Sequence, residues 1–225
     1  DSTYKKGTFQ ICFELENRTG KELKKEKIEL TIKSDEKEIL KIEEDLSEAL
    51  MYTPVPVTVG QPTIPVGKIG YLIMEADDVL PSIKPWSAEH PNLYRMEIKV
   101  LDKKGREIER LENHIGFRTV EIKDGKLLIN GQYVLIKGVN RHEHDPYTGH
   151  VISRESMEED IAYMKQLGIN TVRTCHYPDD PYFYDLCDEY GFYVMDECDL
   201  ETHGVRRKGV PGDNPVWTDA VVDRM

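Results

Sequence analysis

Three polar clusters hold the side chains of this chain most able to do chemistry. The first, Gly138-Val139-Asn140-Arg141-His142-Glu143-His144-Asp145-Pro146, directly follows the apolar run Tyr133-Val134-Leu135-Ile136. The second, Asn170-Thr171-Val172-Arg173-Thr174-Cys175-His176-Tyr177-Pro178, is itself a strand-like run that ends in polar groups. The third, Tyr193-Val194-Met195-Asp196-Glu197, runs into Glu201-Thr202-His203. Imidazoles, guanidinium groups and carboxylates placed at the C-terminal ends of successive apolar segments, with helical patterns between them, are how a (β/α)8 barrel lays out an active site. The spacing therefore points to an enzyme. Only three such units are visible, so much of that enzyme is expected to lie outside these residues.

The elements that must position these groups can be read from periodicity. Residues 126–132 read as a small hairpin turned at Asn130-Gly131, and residues 133–139 as the first buried strand. Ser153 can cap a helix carrying Met157, Ile161, Met164 and Leu167, with Gly168 as its stop. Residues 169–174 form the second strand. Pro181 opens a second helix with Phe183, Leu186, Cys187 and Tyr190 on its apolar face and Gly191 as its stop. Residues 192–197 form the third strand, and Pro215 begins a third helix that runs to Met225. This rhythm implies parallel βαβ units.

Before residue 118 the rhythm is different. Residues 8–15 and 27–33 alternate with period two, and residues 67–74, 94–101 and 107–111 read as further strands. Asn17-Arg18-Thr19-Gly20 and Lys103-Lys104-Gly105 are turn signals. Short strands at this spacing suggest an antiparallel sandwich. Residues 46–65, with four prolines, read as a long loop or edge excursion. The organisation is thus a sandwich over 1–118 and the start of a barrel over 119–225.

Composition narrows the function classes. The net charge of −12 disfavours nucleic acid, which is bound through Lys and Arg. No apolar run reaches the roughly 18 residues of a membrane helix. Asp1-Ser2-Thr3-Tyr4-Lys5-Lys6 lacks the apolar segment of a signal peptide, which is uninformative if the chain is a piece of something longer. Cys12, Cys175, Cys187 and Cys198 have no zinc-ligand spacing and read as small thiols in a reducing compartment. Trp86, between prolines and ahead of a strand, reads as a structural plug rather than a sugar-stacking platform. His90 and His114 have no ligand cluster around them.

Seven motifs carry a resemblance. Trp-Ser-Ala-Glu-His-Pro-Asn-Leu-Tyr (86–94), Gly-Phe-Arg (116–118), Leu-Ile-Asn-Gly (128–131), Gly-Val-Asn-Arg-His-Glu-His (138–144), Arg-Thr-Cys-His-Tyr-Pro (173–178), Cys-Asp-Glu-Tyr-Gly (187–191) and Asp-Glu-Cys-Asp-Leu-Glu-Thr-His-Gly (196–204) stand in this order. In order and spacing they resemble the β-galactosidases of glycoside hydrolase family 2. Cys175 and Cys198 stand where that family more often has small or apolar residues.

The resemblance implies a fold and a set of roles. The fold is a multi-domain β and α/β protein, an immunoglobulin-like β-sandwich followed by the first three βα units of a (β/α)8 TIM barrel. His142 and His176 would line the galactose subsite and support the transition state. Arg173 would orient the nucleophilic carboxylate. Glu201 and His203 would be protein ligands of magnesium, the Glu being the better match to a hard ion. Glu143 and His144 read as support behind the site. Asp196 and Glu197 are adjacent, so in a strand they face opposite sides and cannot form a retaining pair; one of them is structural.

Retaining glycosidases use two carboxylates roughly 5 Å apart. In the family these lie after strands four and seven. The expectation is therefore a piece of a β-galactosidase, inactive alone, from a cytoplasmic and homo-oligomeric parent that hydrolyses terminal β-galactosides and meets neither nucleic acid nor membrane. The alternatives are a family relative acting on β-glucuronides or β-mannosides, and a non-catalytic carbohydrate-binding or complementing module. The Arg-His-Glu-His and Glu-Thr-His strings favour galactose.

Overall fold

The computed structural model describes residues 3–23, 25–48, 50, 51, 67, 69–76, 78–203 and 214–225. The chain divides into two compact units. The first comprises residues 1–86 and 92–119, the second residues 87–91 and 120–225. The second unit thus begins earlier than the change of sequence rhythm suggests, because Ser87–Pro91 joins it. There the Ala88 carbonyl accepts from Lys165 Nζ at 3.1 Å, and the Ala88 N–H donates to the Tyr193 hydroxyl at 3.4 Å.

The first unit contains β1 (Gln10–Glu16), β2 (Lys27–Ser34), β3 (Lys37–Asp45), β4 (Leu50–Met51), β5 (Ile69–Glu75), β6 (Tyr94–Leu101) and β7 (Glu107–Ile115). They form two antiparallel sheets, ordered β1-β5-β4 and β3-β2-β6-β7. The period-two pattern of β2 and β6 sends Ile28, Leu30, Ile32, Tyr94, Met96 and Ile98 into one core with Leu72 and Met74 of β5. β3 is absent from the sequence reading. It pairs with β2 through a tight turn at Asp35, whose φ is +53°, and its charged residues mask the alternation. Residues 46–65 begin with a 3-10 turn at Leu46–Glu48 and then β4; residues 52–65 lie outside the described residues. Trp86 is the expected plug, almost wholly buried, with the Arg118 guanidinium 5.3 Å over its ring.

The second unit opens with a three-stranded meander, β8 (Val120–Lys123), β9 (Lys126–Ile129) and β10 (Gln132–Tyr133). Two-residue turns join the strands. At Asp124-Gly125 φ is +50° and +71°, and at Asn130-Gly131 it is +50° and +73°; both fit the primed hairpin turns that suit twisted strands. Next come β11 (Gly138–Arg141), α1 (Arg154–Gln166), β12 (Thr171–Thr174), α2 (Pro181–Tyr190), β13 (Tyr193–Met195) and the short α3 (Thr218–Asp223), preceded by a 3-10 turn at Pro215–Trp217. Strands β11, β12 and β13 are parallel and adjacent in that order.

Three details differ from the sequence pattern. The run 133–136 is not the buried strand, and Leu135 and Ile136 are exposed. The Asn170 side chain accepts from the Lys137 N–H and donates to the Leu135 carbonyl, so the segment is pinned before ladder pairing starts at Gly138. Leu167 caps α1 and is exposed, while Ile169 packs on the core instead. Tyr190 is also exposed. The caps themselves are as the sequence implies for Ser153, which accepts from the Ser156 N–H at 3.2 Å. Asp180 adds a cap for α2 that the sequence reading did not single out.

Gly191 closes α2 with φ +77°. An added Cβ would lie 2.9 Å from the Ala88 carbonyl carbon. We expect Gly191→Ala to cost about 2–4 kcal/mol, the left-handed conformation and the clash acting together. Urea unfolding followed through hydrogen exchange of the α2 amides measures this; a loss below about 0.5 kcal/mol would show that the 87–91 segment simply yields.

Candidate active site

The C-terminal ends of β11, β12 and β13 carry the reactive groups, as parallel strands with helical crossovers require. Arg141, the last residue of β11, is buried and does not face solvent chemistry. Its Nη1 donates to Asp179 Oδ2 at 2.6 Å and to Glu143 Oε1 at 3.2 Å, and its Nε donates to Asp160 Oδ2 at 3.1 Å. The guanidinium lies 4.0 Å over the Phe183 ring. One cation thus joins the segment after β11, the segment after β12, and α1. Burial pushes the Asp179 carboxyl above its ordinary value, against the pull of Arg141. Glu143 is therefore a supporting residue, as its sequence suggests.

Above this base sits a second cluster, half open to solvent. Arg173 donates from both Nε and Nη2 to Glu197 Oε1, at 2.7 and 2.6 Å. The other oxygen, Glu197 Oε2, lies 3.1 Å from His176 Nδ1. Glu201 Oε2 lies 3.3 Å from that same ring nitrogen. The His142 and His176 rings meet edge to face at 5.4 Å, and His142 is 6.0 Å from Tyr177. His144 and His150 pair at 5.6 Å further out. The peptide bond between Cys175 and His176 is cis.

The adjacent carboxylates Asp196 and Glu197 do separate. Asp196 Oδ1 accepts from the Thr174 hydroxyl at 2.9 Å and the Tyr184 hydroxyl at 2.6 Å, so it ties β12 and α2 to the end of β13. The Glu197 N–H donates to Thr174 Oγ1 at 3.0 Å, which aims its side chain the other way, toward Arg173. Sequence reasoning missed Glu197 as a site residue. The signal available was its position just past a strand end, two residues beyond Met195, which pairs with Arg173, but the choice between it and Asp196 rests on Thr174 and Tyr184.

Of the five residues singled out by sequence, the structure gathers His142, Arg173, His176 and Glu201. His203 is different. Its backbone N–H donates to Glu201 Oε1, so the main chain of His203, rather than a shared face of side chains, meets Glu201. Among the described residues no three His, Cys, Asp or Glu side chains form a group able to hold a metal ion. One oxygen of Glu201 faces the His176 ring and the other takes the His203 N–H, so by themselves these two residues offer few of the several oxygens that a hard ion such as magnesium takes.

Glu197 is partly shielded, which pushes its carboxyl up, but Arg173 and His176 outweigh this and hold it below the usual carboxylate range. A carboxylate with a lowered folded value adds stability above its unfolded value of about 4.3, lost as pH falls through the folded value. The thiol of Cys187, by contrast, is pushed up to about 12 by burial and is inert.

The family description "Glycosyl hydrolases family 2, TIM barrel domain" matches residues 120–225, and "Glycosyl hydrolases family 2" matches residues 1–118. A β-galactosidase of Alteromonas mediterranea is 50% identical over 142 residues, 63% of this chain and 14% of that protein. One from Photobacterium profundum is 50% identical over 139 residues, 62% of this chain and again 14% of the relative. The chain therefore spans a small part of the length of the curated relatives it matches. Among solved structures, a β-glucuronidase of Bacteroides uniformis superposes with a TM-score of 0.74 at 20% identity, over 94% of this chain and 23% of its own.

Arg173→Gln should move the Glu197 titration upward, because the guanidinium that favours its ionised form is gone, as read by carboxyl carbon NMR. An unmoved midpoint would mean that the guanidinium does not hold the carboxylate ionised.

Proposed function

Because the chain belongs to glycosyl hydrolase family 2, we propose that it forms part of a retaining β-galactosidase that removes terminal β-D-galactose. The observation that carries this reading is the 50% identity with proteins named β-galactosidase. The likeness to the β-glucuronidase, at 20% identity, concerns the fold alone. A uronide substrate is the second reading, favoured by the names of that neighbour and of other similar structures.

On this reading the first unit is an immunoglobulin-like domain, and β11, β12 and β13 are the first three strands of an eight-stranded barrel. His142 and His176 line the sugar subsite. A sugar ring presents hydroxyls, and two imidazoles meeting at 5.4 Å can donate to or accept from them. Arg173, held by one oxygen of Glu197, keeps a guanidinium at the strand end that could orient a further carboxylate. The acid/base and the nucleophile of a retaining pair are supplied by residues after later strands. The whole protein is a cytoplasmic homo-oligomer; the four unpaired cysteines agree with a reducing compartment, and no helix among the described residues is long and apolar enough to cross a membrane.

Two outcomes follow. The purified 225-residue chain should give no turnover of nitrophenyl β-galactoside, and adding the polypeptide for the later strands should restore it; turnover by the chain alone, unchanged in His176→Ala, would refute this assignment. Magnesium, which Glu201 and His203 would ligate in the whole enzyme, should bind the chain with a dissociation constant of about a millimolar or weaker, in the range of weakly held hard cations. Isothermal calorimetry reads it, and micromolar binding abolished by Glu201→Ala would show a preassembled site.

A further inference from the structure

The geometry points to Glu197 as a positioning residue that fixes the tautomer of His176, placing the proton on Nδ1 and leaving Nε2 with a free lone pair. Nδ1 faces Glu197 Oε2 at 3.1 Å and Glu201 Oε2 at 3.3 Å. A bare nitrogen lone pair there would meet two carboxylate oxygens, whereas an N–H would donate to them. The competing donor is Arg173 Nη2, 3.4 Å from the same nitrogen. That contact is longer than either carboxylate contact, and Nη2 already has Glu197 Oε1 at 2.6 Å. The tautomer is set by what the ring's partners accept.

Glu197 rather than Glu201 is the fixing group for three reasons. It is the nearer of the two. It sits two residues past the end of β13, anchored by its backbone N–H on the Thr174 hydroxyl. Its carboxylate is divided, one oxygen held by Arg173 and the other turned to the ring. Glu201 lies in the following loop. The arrangement matches the way a carboxylate orients a working imidazole in hydrolytic triads, without itself taking the proton. As a neutral ring, His176 then presents an acceptor at Nε2, suited to a sugar hydroxyl; that last step alone rests on the galactoside reading.

The test is the nitrogen-15 NMR spectrum of the His176 ring in the 225-residue chain at about pH 8.5, above the ordinary imidazole range. We expect Nδ1 to carry the pyrrole-type signal and Nε2 the pyridine-type signal, the Nδ1–H form in roughly tenfold excess or more, as a charge-assisted hydrogen bond gives. Glu197→Ala and Glu197→Gln should each cut that excess several-fold, with the α1 and α2 amide signals unmoved to show an intact fold. Glu201→Ala should leave it in place. An Nε2–H ring in the unaltered chain, or an undiminished Nδ1–H excess in both folded Glu197 variants, overturns the proposal. No sugar enters the measurement, so failure of the galactoside reading would leave its outcome untouched, and the reverse.

Discussion

The candidate site stands on one buried cation. Arg141 is only 7% exposed, and placing a charge there costs several kcal/mol unless it is matched by well-placed carboxylates. Asp179, Glu143 and Asp160 supply that match from three separate segments, and the Phe183 ring closes one face. A guanidinium suits this place because its rigid fork can serve several acceptors at once, which an ammonium on a flexible stem cannot do with the same geometry. The flanking positions inherit the order. His142 follows Arg141 directly, and Asp179 lies three residues beyond His176, so the cation that joins Arg141 to Asp179 also fixes the distance between the two imidazoles. Arg141 therefore shapes the layer that carries the two imidazoles without reaching it.

Much of the fold was legible because its signals are local. Ser153, Pro181 and the glycines at 168 and 191 mark helix ends through capping, missing donors and positive φ, all readable residue by residue. The strands β1, β2, β5 and β6 declared themselves by alternation. What failed was non-local. β3 carries Lys37, Glu38, Lys41, Glu43, Glu44 and Asp45, and only its partner β2 reveals it as a strand. The apolar run 133–136 looked like a buried strand because apolar residues promise burial, but the Asn170 side chain, distant in sequence, takes its backbone groups. The attachment of Ser87–Pro91 to the second unit has the same character: it depends on Lys165 and Tyr193, which no window of sequence around residue 88 contains.

The site divides along the same line. The gathering of His142, Arg173 and His176 was legible because residues just past the strand ends of a parallel sheet converge. Glu197 was not, since alternation says that Asp196 and Glu197 part company but not which goes where. Thr174 decides it by bonding the Asp196 carboxylate and the Glu197 backbone at once. The local course of the chain from Glu201 to His203 was not legible for a related reason. Residues two apart share a face only in an extended chain, and here Glu201 bends back to the His203 main chain and to His176.

The two charged layers differ in what they can do. In the lower one, the Asp179 side chain is wholly buried and the Arg141 side chain nearly so; removing Arg141 would leave the Asp179 carboxylate buried without its cation, so this layer bears on stability. In the upper one, Arg173, Glu197, His176 and Glu201 keep 27–41% of their side-chain surface exposed. Solvent screens such pairs, and their net contribution to folding is small. Their geometry is nonetheless definite, one carboxylate divided between a guanidinium and an imidazole. Interactions that add little to stability but fix the direction of donors and acceptors are what a site needs if a ligand is to displace water and find its partners already aimed. The division of labour also fits the openness of the upper layer: the charge taken out of water, and matched there by carboxylates, is the one beneath it.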